Sequence, residues 1–387
     1  MSKTISKLGS YVLQFIKDSR SVGMLLIISA LISLVAANFS FGQRYVNFWH
    51  TELGWAHALH LPHTLEHFIN DGLMAVFFFL VGMEIKREML EGELATVKQA
   101  ALPVVAAIGG MVVPALIYAF FNKGTNYISG WAIPASTDIA FSLGVASLLG
   151  NRVPASLKIF LTALAIIDDL GAIIIIALFY GSAINGLFLF LAAIIIAVVY
   201  FLNKLDVKFG AFHILLGILL WYCVYNSGIH STVAGVIFAF LIPKNQLSTL
   251  EHKLHTTVNF LIIPIFALAN TAIILPKDIS GALNSSLSWG IILGLFIGKP
   301  VGILLTSYYV VKRKYADLPA DVSWRHIIGA GFLAGIGFTM SIFIASLAFS
   351  DGDTRDIAKI AVLVASVLAM IGGYFYLKSV ASRQKLG

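Results

Sequence analysis

The sequence predicts an all-α polytopic membrane protein, and three observations carry that prediction. The chain is 59% hydrophobic and only 12% charged, with a mean hydropathy of +0.90 over 387 residues, far from the composition of soluble domains. Apolar runs of about 20 residues, the length a helix needs to cross a bilayer, recur along almost the whole chain. The few charges fall mainly between those runs. A net charge of +7 does not imply nucleic acid here, because cytoplasmic loops of membrane proteins collect Lys and Arg, so no nucleic-acid partner is expected. Cys223 is the sole cysteine, which excludes internal disulfides, cysteine zinc sites and iron–sulfur clusters. Phosphate-binding glycine loops and HExxH are absent too, and no cofactor is expected.

The runs lie near residues 20–37, 65–85, 100–121, 128–149, 156–180, 184–202, 209–224, 229–242, 256–275, 288–311, 327–349 and 358–377, about twelve helices in one domain spanning 1–387. Lys3, Lys7, Lys17 and Arg20 precede the first, a signal-peptide pattern, but the length of the run and the many behind it favour an uncleaved span. With both termini cytoplasmic, twenty of the 26 cations fall inside: the N-terminal four, Lys86, Arg87, Lys98, Arg152, Lys158, Lys204, Lys208, Lys244, Lys253, Lys312, Arg313, Lys314, Arg325, Lys378, Arg383 and Lys385. Arg44, Lys123, Lys277, Arg355 and Lys359 fall outside. Lys299 is left over, in the middle of "WGIILGLFIGKPVGILL".

Two spans read as interrupted. In "YISGWAIPASTDIAFSLGVASLLG", Pro134 removes a donor and disfavours helix at Ile133, and Ser136, Thr137 and Asp138 follow. In "IIGAGFLAGIGFTMSIFIASLAF", Gly329, Gly331, Gly335 and Gly337 precede Thr339 and Ser341. Each is the middle member of a triplet, at residues 100–180 and 288–379. The first members of the triplets, spans three and ten, are offset by seven spans, an odd number that would put the triplets in opposite orientations as inverted-topology repeats.

A broken helix leaves unpaired N–H groups at one half and unpaired carbonyls at the other. Asp138 can balance the positive ends and Lys299 the negative ones, or both serve simply as structural counter-charges. Asp168 and Asp169, in "LAIIDDLGAIIIIALFY", pose a sharper problem, because apolar surroundings penalise ionised carboxylates. Helix neighbours point about 100° apart, so one can face a cavity and the other a packed helix or Lys299. Such a pair titrates as a unit, and a proton and a small cation exclude each other on it. That competition is the physical core of cation/proton exchange. An Asp pair kept for interhelical hydrogen bonds is the plainer alternative, although Asn or Ser would do that at lower cost.

"ALAIIDDLGAIIIIALFY", "IPASTDIAF", "FLVGMEIKRE", "AAIGGMVVPAL", "FIGKP" and "GIGFTMSIFIASLAF" resemble the NhaA family of sodium/proton antiporters of bacterial inner membranes, over nearly the whole chain. The resemblance implies about twelve helices with inverted repeats and two interrupted helices crossing near the bilayer midplane, an arrangement in which secondary transporters, this family among them, place their binding sites. It implies an electrogenic Na+ (Li+)/H+ antiporter, pH-regulated, serving sodium and pH homeostasis, multi-pass, and dimeric in the membrane. Asp168 and Asp169 would bind the transported sodium and protons, Asp138 and Thr137 would lie at the crossing, and Lys299 would compensate it and pair with Asp168. Glu84, Glu88, Glu251, His252, His255 and His230 would serve the pH response. Without the resemblance, the acids Glu84, Glu88, Glu91 and Glu93 read as a solvated face interleaved with Lys86 and Arg87. His230 reads equally as a hydrogen-bonded helix-end histidine.

"HALHLPHTLEHF" places His57, His60, His63 and His67 at helix-like spacing, which suggests metal binding or pH sensing, but Leu-Pro favours an interfacial loop. Two other function classes compete. An intramembrane aspartyl protease would need two aspartates from separate helices, here Asp138 with Asp168, and its Gly-x-Gly-Asp signature is absent. A cation channel would need a ring of weak sites rather than a compact Asp–Asp–Lys cluster.

Overall fold

The computed structural model describes residues 19–384; Lys3, Lys7, Lys17 and Lys385 lie outside them. These residues are helical apart from loops and one isolated antiparallel bridge, Glu52 to Thr64. The main helices are α1 (Ser19–Ala37), α2 (Leu65–Glu91), α3 (Val97–Asn122), α4 (Ile139–Leu148), α5 (Ala155–Phe179), α6 (Gly186–Lys204), α7 (Ala211–Tyr225), α8 (Val233–Leu241), α9 (Lys244–Thr257), α10 (Ile263–Asn270), α11 (Ser286–Lys312), α12 (Trp324–Ala334), α13 (Phe338–Ala348) and α14 (Gly352–Gln384). Six are long and apolar enough to cross a membrane singly, and two bent pairs meet the same test jointly, which makes this a multi-pass membrane protein. α6 exposes Leu187, Phe190, Tyr200 and Phe201, a surface stable only against lipid.

Helix extends past several hydropathy boundaries because apolar content, not hydrogen bonding, ends a hydropathy window. α2 runs through charged residues to Glu91, and α14 to Gln384. Polar caps fix other starts: Thr64 Oγ1 accepts from His67 N at 3.2 Å, and Asn185 Oδ1 accepts from Leu187 N at 3.1 Å.

Contacts divide the chain into two units, and the division falls inside α5, between Asp168 and Asp169. One is Met1–Leu31, Lys98–Asp168 and Lys277–Gly387, the other Ile32–Val97 and Asp169–Pro276. Each contains a pair of helices in backbone contact. In the first, Gly109 of α3 abuts the Gly302 carbonyl and Gly302 of α11 abuts the Gly109 carbonyl. In the second, Gly235 of α8 meets the Ala75 carbonyl, and a Cβ on Gly82 of α2 would lie 2.8 Å from Ala239. Small residues permit such approach, and dispersion across the close contact holds the helices together in lipid.

Two apolar stretches among the described residues are not continuous α-helix. Residues 128–135 form a 3₁₀ helix ending beyond Pro134, and an extended segment, 136–138, leads into α4. α12 and α13 are joined through Gly335–Gly337 at a bend of 47°. Among the described residues three π-turns also occur, Ile69–Leu73, Val258–Ile262 and Gly294–Gly298. The last ends at Lys299, whose N–H donates to the Gly294 carbonyl, and is followed by Pro300, which has no N–H to continue an α-helical ladder.

Candidate functional site

The two interruptions of the first unit meet, and their ends account for the polar side chains around them. Asp138, 3% exposed, is the N-cap of α4, and its Oδ1 accepts from Phe141 N at 3.1 Å. Its Oδ2 accepts from Thr339 N at 3.1 Å and Thr339 Oγ1 at 2.5 Å, at the start of α13. Its own N–H donates to the Ile336 carbonyl at 2.7 Å. One carboxylate thus answers the positive ends of two half-helices. Ser366 of α14 adds an acceptor for Phe338 N at 3.2 Å. Ser136 and Ser341 lie 3.0 Å apart, and Ser341 donates to the Ile133 carbonyl.

One negative end, at Ala135, is answered by Lys299, which has no exposed surface. Its ammonium donates to the Ala135 carbonyl at 2.8 Å, to Thr137 Oγ1 at 2.8 Å and to Asp168 Oδ2 at 2.5 Å. Three partners suit the three protons of an ammonium. Thr137 Oγ1 lies 2.6 Å from Asp168 Oδ2 and 2.8 Å from the Ala334 carbonyl, the last of α12. Having accepted from Lys299, this hydroxyl has one proton and two acceptors to choose between. Asp168 Oδ1 is buried with no hydrogen-bond partner among the described residues. The cluster therefore has one oxygen locked against a cation and a second available to one.

Asp169 follows on the same helix, 2% exposed. Among the described residues no group of three or more His, Cys, Asp and Glu is arranged to hold a metal ion. The chemistry this arrangement offers is exchange of partners on a buried carboxylate: a proton, an ammonium or a small cation.

The other predicted residues lie in the second unit. Arg87 donates to Glu251 through Nε at 3.0 Å and to Glu88 through Nη1 at 2.7 Å, bridging α2 to α9. Glu84 stands within the electrostatic reach of Glu251, Arg87 and Glu88. Glu91 pairs with Lys244 at 2.9 Å, Glu93 N donates to Glu88 Oε2, and Lys86 donates to the Phe240 and Ile242 carbonyls at the end of α8. His252 and His255 follow Glu251 on α9, where burial and the neighbouring His252 push the His255 imidazole down and Glu251 opposes them. His230 lies 3.5 Å from Asp71 and 2.9 Å from Thr232 Oγ1. Of the four loop histidines, His57 and His63 stack with ring centroids 3.9 Å apart, and His60 adopts a left-handed φ of 49° where the chain turns.

Sequence reasoning missed Asp71, which accepts from Ser231 at 2.7 Å, and Asn70, paired reciprocally with Asn270. It missed Glu66 as well, buried and 3.1 Å from His50. The polar "FIND" at the start of an apolar run was the available signal.

Known proteins resemble this chain over nearly its full length. The sequence model of a family described as Na+/H+ antiporter 1 matches residues 13–377. A protein named Na(+)/H(+) antiporter NhaA 2 from Flavobacterium johnsoniae is 50% identical over 373 residues, 94% of this chain and 91% of that one. Proteins named Na(+)/H(+) antiporter NhaA from Cytophaga hutchinsonii and Aliivibrio salmonicida are 48% and 47% identical, each match covering 94% of this chain, and 94% and 96% of the respective relatives.

Proposed function

We propose that this chain, which belongs to the Na+/H+ antiporter 1 family, exchanges sodium ions (or lithium) for protons across a membrane, as a secondary transporter and not an enzyme. The observation that carries the reading to these residues is the Asp168 cluster: a fully buried carboxylate with one oxygen held by Lys299 and Thr137 and the other without a hydrogen-bond partner.

Asp168 and Asp169 are the carriers. Sodium binding requires them ionised, and protonation releases it, so the occupants alternate. When a cation or proton displaces Lys299 from Asp168, the ammonium keeps the Ala135 carbonyl and Thr137 as partners, while the Thr137 proton turns to the Ala334 carbonyl. One ammonium N–H loses its acceptor in the exchange, a cost the incoming cation or proton has to offset. Asp138, engaged by donors from α4 and α13, stays out of it, which also weighs against a protease using Asp138 with Asp168. The interrupted segments support twelve spans with inverted repeats at 100–180 and 288–379, crossing near the bilayer midplane. The cation tally supports cytoplasmic termini in a bacterial inner membrane, and a homodimer is the proposed assembly. Glu84, Glu88, Glu251, His252, His255 and His230 set the pH response, and the physiological role is sodium and pH homeostasis.

Two protons against one sodium move one net charge per cycle, so a membrane potential contributes about 2.3 kcal/mol per 100 mV to sodium expulsion. In everted vesicles, sodium should dissipate an imposed pH gradient. In proteoliposomes on a solid-supported membrane, a sodium jump should give a transient current. Absence of sodium-dependent dissipation at every pH refutes exchange; dissipation without current refutes the stoichiometry alone.

A further inference from the structure

We propose that His326 is a pH-sensitive positioning residue. As the third residue of α12 its neutral imidazole caps the half-helix whose far end meets Thr137, and protonation releases that cap. The inference rests on the exchange reading for its effect on transport, but the cap itself does not.

Ser323 and His326 form a capping box at the start of α12. In such boxes the third helical residue is normally Glu or Gln, whose oxygen accepts the N–H of the cap residue. Here Ser323 N–H donates to His326 Nδ1 at 3.0 Å, and Ser323 Oγ lies 3.1 Å from the same nitrogen. A backbone N–H only donates, so Nδ1 carries its lone pair and the ring proton sits on Nε2. Protonation would turn Nδ1 into a donor facing a donor. It would also place a full positive charge on the positive end of the helix. His326 is 1% exposed and its Nε2 is buried with no partner among the described residues, so nothing there favours the imidazolium.

Among the described residues, the elements packed against α12 supply no compensating anion. α11 offers Tyr308, whose ring packs on Trp324 with Lys312 over it, then Tyr309 and Arg313. α14 offers Tyr374, Tyr376 and Lys378 where it passes α12, and its acids Asp353 and Asp356 lie some twenty residues earlier on the helix. α4 carries no titratable side chain. Arg325 is adjacent, and Asp317 and Asp321 belong to the preceding loop, Asp317 being engaged with Lys98 at 3.8 Å. α12 has 11 residues, and its last carbonyl, Ala334, is one of the two acceptors of Thr137. Loosening its first turn therefore reaches the acceptor set of Asp168 without a contact between them.

His326→Gln, a non-titrating acceptor, separates this from a purely structural histidine; His326→Glu is a second acceptor variant and His326→Leu has none. Sodium-dependent dissipation in everted vesicles is measured over a pH series, with thermal midpoints of the purified full-length protein over the same range. His326→Gln should keep the alkaline plateau and move the acid limb to lower pH by about half a unit or more, within the range where imidazoles titrate. His326→Glu should do the same, while His326→Leu should be slower throughout the series. The wild-type midpoint should fall relative to His326→Gln as the pH drops through that range. Superimposed pH profiles of wild type and His326→Gln, together with parallel thermal curves, overturn the proposal. If wild type exchanges at no pH, the functional reading fails, and the thermal curves alone decide the cap.

Discussion

In the unit containing α3, α4 and α11–α14, Asp138 and Lys299 answer the backbone; in the unit containing α2 and α6–α10, Arg87, Glu88 and Glu251 answer one another, as do Glu91 and Lys244, while Lys86 binds backbone carbonyls. Asp138 and Lys299 are bound to half-helix ends and have almost no exposed surface. Arg87, Glu88 and Glu251 form pairs in which the guanidinium is 35% exposed. A helix end cannot titrate or rotate away, so it holds its counter-ion permanently. Side-chain pairs in water are weakened by salt and rearrange with pH. The lesson lies in Asp168, which stands among fixed charges yet is bound only by side chains, Lys299 and Thr137, and can therefore change partner.

The sharpest test of that distinction is also the largest effect. Asp168→Asn and Asp169→Asn should reduce sodium-dependent proton movement to background with the protein still folded, because an amide keeps the shape of a neutral acid and cannot ionise. Sodium-induced proton release measured on each variant checks this; undiminished release would remove that residue as a carrier. Lys299→Ala should come next, destabilising by about 3–5 kcal/mol, the range for removing one partner of a buried pair. An unchanged melting temperature would show that the carbonyl ends need no counter-charge.

Asp138→Ala should cost roughly 2 kcal/mol, two helix N-caps at about 1 kcal/mol each. A loss much smaller than that would make α4 and α13 self-sufficient and break the comparison on its fixed side. In the second unit, Arg87→Ala should cost at most about 1 kcal/mol, and the deficit in melting temperature should shrink at high salt. A salt-independent deficit would place that cluster with the buried charges.

The smallest effect repeats the Asp138 chemistry in water. Asp351, fully exposed, accepts from Thr354 N at 2.9 Å and Thr354 Oγ1 at 2.6 Å, and these bonds hold its carboxyl below the usual carboxylate range. A lowered folded-state value means the stabilisation is present above the ordinary carboxylate range and lost as pH falls through the lower folded value. Asp351→Ala should therefore lower the melting temperature slightly at neutral pH and leave it identical to wild type in strong acid. A deficit that persists in strong acid would point to lost packing instead.

Much of this molecule was legible in local sequence. Membrane class, an all-helical fold and several apolar membrane-spanning helices follow from hydropathy, because lipid tolerates few other solutions for an apolar chain. The family motifs around Asp168 and Asp169 were equally plain. The capping role of His326 was hidden, since a histidine at that position looks like an ordinary charged loop residue until its ring nitrogen is seen on Ser323. The π-turn before Lys299 was hidden too, being a matter of which carbonyl an N–H selects. Asp71 and the Asn70–Asn270 pair have no sequence pattern of their own.

What the sequence by itself determined was therefore which residues are costly to bury: Asp138, Asp168, Asp169 and Lys299 stand in apolar runs, and transfer free energy makes each of them demand a partner. What only the tertiary structure decided was which partner each one has. Asp138 finds Thr339 across 201 residues and Lys299 finds Asp168 across 131, distances over which no local periodicity carries information. Those pairings depend on where two broken helices leave their N–H groups and carbonyls, a geometry that exists only once both breaks are packed together.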